Sequence, residues 1–357
     1  MDVGAAGVLV GMGPKLFDLH KPSKREYLRR VTSGAPTSNL AAVPGIRVGH
    51  WTHPTGATGC TVVLAPPGGM RAAASLRGRA TGTREIDALD PRHIVGHVDA
   101  ILLTGGSAFG LGAADGVMQW LLARKRGFPV RADFVVPIVP AAVIFDLGNT
   151  GGVPLWPGPA DASRACDAAD TTIPEGSVGV GAGATVGKAA GIARAMKGGV
   201  GTWAAHAGEA VVGALVVVNA VGDVRDANGQ ILAGARGDGG EFLDCLDYLG
   251  RGGAPFGAGP ASPNNTTLAV VVTNLSLDKV ALESLARAAS DALARRITPF
   301  GTLFDGDVVF AASTATVAPS SPVQAEALAA AAVPQALERA VRLAAGNAVT
   351  PGLGSSR

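Results

Sequence analysis

The segment 262–274 (SPNNTTLAVVVTN) changes abruptly from turn-prone polar residues to an apolar run, and Thr266 and Thr267 stand at the change. A threonine hydroxyl is a weak nucleophile, but it is activated when the same residue carries a free α-amino group at the start of a chain. Such an amine has a pKa of about 7.7–8.0, close to what a general base needs near neutral pH. Thr266 can react in this way only if the bond after Asn265 is cleaved. The simpler interpretation is a loop that meets a buried strand.

Two aspartates further along the chain have a spacing that would assist such a threonine. Asp305 and Asp307 flank Gly306 directly before another strand-like run. Side chains two positions apart on an extended chain project to the same side. Both carboxylates could therefore hydrogen-bond the α-ammonium and the hydroxyl of Thr266. The local sequence alone is more typical of a solvated Asp-Gly turn.

Other motifs lack a residue that their chemistry requires. GATVGKAA (183–190) resembles a phosphate-binding loop, but Ala182 and Ala189 stand where a glycine and a magnesium-binding hydroxyl are needed. GGSAF (105–109) has the setting of a nucleophile elbow around Ser107 but lacks the final glycine. The sequence therefore favours neither a nucleotide-dependent enzyme nor a serine hydrolase, and no cofactor is expected.

The composition excludes several classes of protein. Of 357 residues, 47% are hydrophobic and 16% charged, which supports a large core, and a net charge of +2 without a cationic face argues against nucleic-acid binding. Six histidines without HExxH spacing predict no metal site, and three scattered cysteines indicate reduced thiols and a cytoplasmic protein. No apolar stretch is long enough to span a membrane.

The elements that must position the candidate residues follow an α/β pattern. Apolar runs at 60–66 and 209–223 predict buried strands, and 99–127 predicts a strand, a glycine-rich turn and a helix. The segment 275–299 predicts an amphipathic helix, and 304–314 a turn that leads into a strand. One face of that helix should be formed by Leu282, Leu285, Ala286, Ala289 and Leu293.

Three further stretches have less regular patterns. Residues 1–40 mix polar residues and glycine without a period, which predicts a loosely held N-terminal arm. Residues 224–265 are rich in glycine, proline and aspartate, which predicts a long exposed connector. From residue 322 the chain is alanine-rich and predicts a helix that Pro334 interrupts.

Four separated blocks carry a resemblance that spans about 45–320, namely NNTTLAVVVTN, PFGTLFDGDVVFA, DAILLTGGSAFGLGAADGV and VPIVPAAVIFDL. They resemble the self-processing peptidase family of L-aminopeptidase/D-esterases, β-peptidyl aminopeptidases and nylon-oligomer hydrolases. The resemblance implies an α/β fold built as a four-layer α/β/β/α sandwich, shared with ornithine acetyltransferases and similar in shape to N-terminal-nucleophile hydrolases. It implies one catalytic domain over 41–357, cut into an α chain, 1–265, and a β chain, 266–357, in assemblies that are commonly tetramers.

The resemblance also assigns roles to single residues. Thr266 matches the nucleophile that begins the β chain, and Asn219 matches the amide that stabilises the oxyanion. Lys188, in VGKAAG, matches an active-site lysine of the nylon-hydrolase branch. Asp305 and Asp307 match the acidic pair that follows the β-chain helix.

Two positions bear on the substrate. Some aminopeptidase relatives have serine where this chain has Asp305, so the aspartate favours the nylon-like branch. Phe145 stands where relatives often have tyrosine, which removes a phenol that could bind substrate or oxyanion.

The implied activity is hydrolysis of an amide through an acyl-enzyme on Thr266. Substrates across the resembling family include aminoacyl amides and short peptides, β-peptides, pantetheine-type amides and linear 6-aminohexanoate oligomers. Two alternatives use the same scaffold, an acyltransferase of the ornithine acetyltransferase type and a non-catalytic relative.

Overall fold

The computed structural model describes residues 38–147, 153–255 and 265–355. The strands, in chain order, are β1 (Arg47–Thr52), β2 (Gly59–Leu64), β3 (Arg71–Leu76), β4 (Thr83–Arg84), β5 (Ala100–Thr104), β6 (Phe128–Arg131), β7 (Phe134–Val136), β8 (Ala141–Val143), β9 (Thr185–Val186), β10 (Met196–Lys197), β11 (Val200–Ala207), β12 (Ala210–Asn219), β13 (Asp223–Arg225), β14 (Ile231–Ala233), β15 (Thr266–Leu275), β16 (Ile297–Thr298) and β17 (Val308–Val317). The α-helices are α1 (Ser107–Gly110), α2 (Ala114–Leu122), α3 (Pro159–Asp167), α4 (Cys245–Gly250), α5 (Lys279–Ala294) and α6 (Gln324–Arg342). Short 3₁₀ turns lie at Leu40–Ala42, Ile86–Leu89, Leu111–Ala113, Gly179–Ala182 and Ile192–Arg194.

Two five-stranded sheets form the centre of the molecule. The first has the strand order β1-β2-β5-β8-β4 and the second β11-β12-β15-β17-β3. Strands β15 and β17 run parallel, whereas β12 runs antiparallel to β15 and β3 antiparallel to β17. The inner faces of the two sheets share one core, in which Ile101 and Leu103 of the first sheet join Leu268 and Val270 of the second.

Helices cover both outer faces. Val62 and Leu102 of the first sheet pack with Val117 of α2 in one cluster. Leu285 of α5 and Leu337 of α6 belong to another, which covers the outer face of the second sheet. The layers are therefore helix, sheet, sheet and helix, and the predicted four-layer sandwich is confirmed.

Strand β15 is buried at all ten of its positions, because it lies in the middle of a sheet that is covered on both faces. Leu268, Val270 and Val272 face the core between the sheets, while Ala269 and Val271 face the helices. A strand buried on both faces has a continuous apolar sequence rather than an alternating one. This explains the unbroken run that follows Thr266.

The helix predicted at 275–299 is α5, and all five residues of its predicted face are buried. The side chain of Asp278 caps it by accepting from the amide of Ala281. The prediction that Pro334 interrupts the last helix was wrong, since α6 continues through it. A proline frees the carbonyl four residues earlier, and that residue, Ala330, is exposed, so solvent can take the place of the lost amide.

The long exposed connector predicted over 224–265 was also wrong for residues 224–255, and Asn265, the other described residue of that range, is buried. The range 224–255 contains two strands and helix α4, and the buried carboxylate of Asp223 organises them by accepting from the amides of Ala235 at 2.8 Å and Cys245 at 2.6 Å. Residues 256–264 lie outside the described residues, as do residues 1–37 of the predicted arm. Leu40, within the range predicted for that arm, is fully buried.

Within the three described ranges, none of the helices has the length and apolar character needed to cross a membrane.

Candidate active site

Thr266 begins β15 and lies directly opposite Asn219, the last residue of β12. Residues paired in this way on antiparallel strands place their side chains on the same face, with Cβ atoms about 5 Å apart. The side chain of Thr266 is almost fully buried, and its hydroxyl donates to the carbonyl oxygen of Asn265 at 2.5 Å. The predicted nucleophile therefore already lies against the carbonyl of the bond that it would attack.

The carbonyl oxygen of Asn265 also accepts from the amide of Gly306 at 3.0 Å. Asn265 forms a parallel bridge with Asp305, which brings the segment before β17 beside the junction. Glycine is needed here because a Cβ at 306 would lie 2.3 Å from the carbonyl oxygen of Ala80. The Gly306 N–H is thus a main-chain donor at the oxygen that would become negative during cleavage. Sequence reasoning did not find this donor, although the glycine between the two aspartates marks its position.

The side chain of Asn265, at the junction with Thr266, lacks hydrogen-bond partners in the intact chain. Asn265 is fully buried, yet within the described part of the chain neither polar atom of its side-chain amide has a hydrogen-bond partner. A buried polar group without a partner costs about 1–3 kcal/mol. Releasing this side chain would therefore favour cleavage.

The side-chain amide of Asn219 is held at both ends. Its Oδ1 accepts from Lys188 Nζ at 2.7 Å and from the amide of Thr185 at 3.1 Å, and its Nδ2 donates to the carbonyl of Phe145 at 3.2 Å. These contacts determine which atom is oxygen and which is nitrogen. They also fix the direction in which the second N–H of Nδ2 points, as an oxyanion donor requires.

Lys188 is buried beside this amide and also donates to the main-chain oxygen of Asn219, at 3.0 Å. Burial lowers the pKa of Lys188 to about 7, although the charges of Asp305, Asp146 and Asp307 oppose the shift. The amide of Lys188 donates to the carbonyl of Val221, which anchors the loop that carries the lysine. With a pKa of about 7, the Lys188 side chain can exchange between ammonium and neutral amine near neutral pH.

Asp305 and Asp307 are buried and held by main-chain donors. Asp305 Oδ2 accepts from the amide and the hydroxyl of Thr302, at 2.9 and 2.6 Å. Asp307 accepts from the amides of Thr267 and Gly301. Burial raises the pKa of Asp305, and burial together with the charge of Asp305 raises the pKa of Asp307 well above its usual value.

The structure thus brings the predicted residues together. Thr266 and Asn219 face each other across two strands, Lys188 holds Asn219, and the charges of both aspartates act on Lys188. In the intact chain the nitrogen of Thr266 is part of a peptide bond, so contact of the aspartates with its α-ammonium stays a prediction. The solvated turn that the local sequence favoured for the two aspartates was wrong, because both are 1% exposed.

Phe145 is half-buried and contributes its main-chain carbonyl to the site through Asn219. The role of its side chain in substrate binding stays a prediction. Two partners of the site that sequence reasoning did not single out are Thr185, which holds the Asn219 amide, and Asp146, which follows Phe145. In the described ranges no group of three or more histidine, cysteine, aspartate or glutamate side chains is arranged to hold a metal ion.

Comparison with known proteins places this site in a family context. The sequence pattern of peptidase family S58 matches residues 38–354. An uncharacterised aminopeptidase of Mycobacterium tuberculosis is 44% identical over 297 residues, which cover 79% of this chain and 83% of that protein. A 6-aminohexanoate-oligomer endohydrolase of Kocuria is 32% identical over 275 residues, which cover 76% of this chain and 73% of that protein.

Two solved structures share the fold. The L-aminopeptidase D-Ala-esterase/amidase of Ochrobactrum anthropi, described as a variant of the Ntn-hydrolase fold, superposes with a TM-score of 0.63 at 20% identity, over 92% of this chain and 94% of that one. A β-aminopeptidase of Burkholderia superposes with a TM-score of 0.62 at 22% identity, over 91% of this chain and 93% of that one. Both likenesses agree with the layered architecture described above.

Proposed function

Since the chain belongs to peptidase family S58 and is an amide-bond hydrolase, we propose that it cleaves itself before Thr266 and then uses Thr266 as an N-terminal nucleophile. The observation that carries this proposal is the 2.5 Å contact between the Thr266 hydroxyl and the Asn265 carbonyl oxygen, directly opposite Asn219. The hydrogen bond holds the hydroxyl beside the carbonyl group whose carbon it would attack, and such positioning favours the reaction.

In maturation, Thr266 Oγ1 attacks the carbonyl carbon of Asn265. The tetrahedral oxygen takes up charge next to the Gly306 N–H, and the bond to the Thr266 nitrogen breaks, which shifts the amide to an ester. The hydroxyl proton ends on the released amine. Water then hydrolyses the ester, leaving Asn265 as a new carboxylate and Thr266 with a free amine and a free hydroxyl.

In turnover, the Thr266 amine takes the hydroxyl proton and the oxygen attacks the substrate amide. Asn219 Nδ2 stabilises the oxyanion, and Lys188 supports that amide electrostatically. The amine passes its proton to the departing amine of the substrate. Water, deprotonated by the same amine, then releases the acyl group, while Asp305 and Asp307 hold the ammonium and hydroxyl in place.

The substrates that we propose are aminoacyl amides or short peptides and linear 6-aminohexanoate oligomers. The first class is supported by the aminopeptidase relative at 44% identity, and the second by the endohydrolase relative together with Asp305 and Lys188. Acyl transfer to an amino acid is not favoured, because the matched family and these relatives are named for hydrolysis.

We also propose that the two fragments stay together as an αβ pair within a tetramer, in the cytoplasm. The three cysteines in the described ranges are free and buried, which suits a reducing compartment. The native mass of the matured protein, measured by light scattering, tests the assembly.

The deciding experiment is a denaturing gel of the purified protein with N-terminal sequencing. We expect fragments of residues 1–265 and 266–357, the second beginning Thr-Thr-Leu. Thr266→Ala should remain one band of 35.5 kDa without amidase activity. Thr267→Val, a matched control that keeps a β-branched residue in a fully buried place, should still be cut.

Intact, inactive wild-type protein would refute the self-processing mechanism. A panel of amino-acid p-nitroanilides and linear 6-aminohexanoate oligomers, offered to the cleaved enzyme, then distinguishes the two substrate classes.

A further inference from the structure

A second group of buried polar residues lies behind the site, and no step of the proposed chemistry uses it. Asp146, Lys197 and Thr58 are 2%, 5% and 0% exposed. Buried charged groups are costly unless they are paired and hydrogen-bonded. Buried charges that are costly to fold are often kept because they serve a function.

Asp146 is fixed by close contacts from three chain segments. Its Oδ1 accepts from the amide of Gly106 at 2.7 Å. A Cβ at Gly105 would lie 2.3 Å from its Oδ2 and 2.2 Å from Thr58 Oγ1, and a Cβ at Gly183 would lie 2.3 Å from the same Oδ2. The carboxylate is therefore packed directly against backbone on two sides and has no room to shift.

Lys197 supplies the opposite charge. Its ammonium donates to the carbonyl of Ala182, the residue before Gly183. Burial raises the pKa of Asp146 to about 6, and the nearby Thr58 hydroxyl, the Gly106 amide and the charge of Lys197 oppose that shift. Within the described residues Asp146 Oδ2 has no hydrogen-bond partner. Burial likewise lowers the pKa of Lys197 to about 8, against the charge of Asp146. Each charge reduces the cost of burying the other, although the two side chains form no ion pair within the described residues.

The cluster adjoins the segment that holds the Asn219 amide. Phe145, whose carbonyl accepts from Asn219 Nδ2, lies between two anchored residues. On one side the carbonyl of Ile144 accepts from the amide of Ser107 at 3.0 Å. On the other side the carboxylate of Asp146 accepts from Gly106, in the same turn.

We propose that Asp146 is a positioning residue that sets the Phe145 carbonyl and, through it, the orientation of the Asn219 amide. This inference rests on the proposed function, because it assumes that Asn219 stabilises the oxyanion. A misplacement of about 1 Å at such a group costs on the order of 100-fold in rate. Asp146 does not contact the reacting atoms, and it acts only by fixing the main chain next to them.

The test is a double-mutant cycle between Asp146 and Asn219, measured as kcat and KM of the cleaved enzyme on a p-nitroanilide substrate. We expect Asp146→Ala to lower kcat about tenfold or more, with little change in KM, because the direction of the oxyanion donor changes more than substrate binding does. Asp146→Asn keeps an acceptor for the Gly106 amide and should restore most of kcat. In an Asn219→Ala background, Asp146→Ala should have little further effect, because the two residues act through one amide.

Asp99 provides a matched control. It is also a buried aspartate whose carboxylate accepts from a main-chain amide, that of Ile138 at 3.0 Å, and burial raises its pKa. Asp99→Ala should lower the melting temperature without a comparable loss of kcat. Asp146→Ser replaces Asp146→Ala in the cycle if the alanine variant does not mature.

Equal losses of kcat in the wild-type and Asn219→Ala backgrounds would overturn the inference, and so would a loss in Asp99→Ala as large as in Asp146→Ala. Either result assigns Asp146 to general stability. The proposed function fails separately, when wild-type protein stays in one piece or when Asn219→Ala turns over as fast as wild type.

Discussion

The ammonium of Lys188 donates to both oxygens of Asn219, the side-chain oxygen at 2.7 Å and the main-chain oxygen at 3.0 Å. One buried cation therefore holds both oxygens of Asn219 at the strand end opposite Thr266, and it acts together with Thr185 and Phe145 on the side-chain amide. The dependence of the chemistry on pH follows from that cation.

We expect Lys188 to support self-cleavage as well as turnover, because its charge acts through the Asn219 amide opposite Thr266. Self-cleavage should therefore slow as the pH rises above about 7, since the pKa of Lys188 is lowered to about 7 and the neutral amine is a weaker donor. Thr266 has no free amine in the intact chain, so titration of that amine does not contribute to this alkaline decline in the rate, called the alkaline limb below. The raised pKa values of Asp305 and Asp307 act on the acid side, where cleavage should speed up as they ionise. The measurement is band conversion on gels after precursor is refolded between pH 6 and 9.

Lys188→Met should cleave itself at least about tenfold more slowly and lose the alkaline limb. Lys279→Met is the control, since Lys279 is another lysine with a lowered pKa, its ammonium donates to the carbonyls of Ala88 and Val95 away from the site, and this variant should keep the alkaline decline in rate. An unchanged alkaline limb in Lys188→Met would assign it to another group.

Asn219→Ala should lower kcat about 10²–10³-fold with KM nearly unchanged, because it removes a donor that acts mainly on the oxyanion. Asn219→Asp should be at least as damaging, since a carboxylate oxygen would then face the carbonyl of Phe145 where Nδ2 now donates. Steady-state kinetics on one p-nitroanilide measures both variants. A rise in KM alone would show that Asn219 binds substrate without stabilising charge.

Asp307→Asn should stabilise the intact chain more at pH 7 than at pH 4. The folded-state pKa of Asp307 is raised, so its contribution to stability is fully present below its ordinary value of 3.8 and is lost as the pH rises through the folded-state pKa. Asparagine cannot ionise, so the variant keeps at pH 7 the stability that the wild-type carboxyl loses on ionising. Melting temperatures of Thr266→Ala protein with and without Asp307→Asn, taken across this pH range, measure the effect.

The control for this pH dependence is Asp90→Asn. The pKa of Asp90 is lowered, chiefly by its hydrogen bonds with Arg92, so its contribution has the opposite sign and is lost as the pH falls. Asp90 is exposed to solvent in part, and the effect should be small. The gain in melting temperature from Asp307→Asn should grow from pH 4 to pH 7. A gain that shrinks over this range would contradict the raised pKa of Asp307.

Phe145→Leu should raise KM and leave self-cleavage within about threefold of wild type. The reason is that the carbonyl of Phe145 holds Asn219, whereas its half-buried ring is the part that we expect to touch substrate. Phe134→Leu, which alters an exposed ring on β7, is the control. Slower self-cleavage together with an unchanged KM would assign the ring to folding of the site.

The elements that the sequence predicted well are those that local patterns define. Helix α5 has its whole predicted face in the core, and β15 is apolar throughout because it is covered on both faces. Thr266 and the aspartates were found from their chemistry. Asn219 and Lys188 carry no local signal of their own and came from the resemblance to a known family.

The features that sequence reasoning missed depend on contacts between distant residues. Asp223 organises 224–255 through the amides of Ala235 and Cys245, and no hydrophobic period records such bonds. Asp146 accepts a hydrogen bond from the amide of Gly106, which lies 40 positions earlier in the chain. The donor at Gly306 is a main-chain atom, so no side-chain type could indicate it.

Strands β15 and β17, which both follow the junction at 265–266, lie side by side between β12 and β3, which both precede it. Once the bond is cut, neither fragment can leave without breaking a sheet in two places, so the pieces are interleaved. The sheet forms while the chain is still in one piece. After cleavage, an unfolded molecule would have to refold by the encounter of two separate fragments, each carrying only part of the sheet. The working lifetime of the enzyme is then set by how slowly it unfolds.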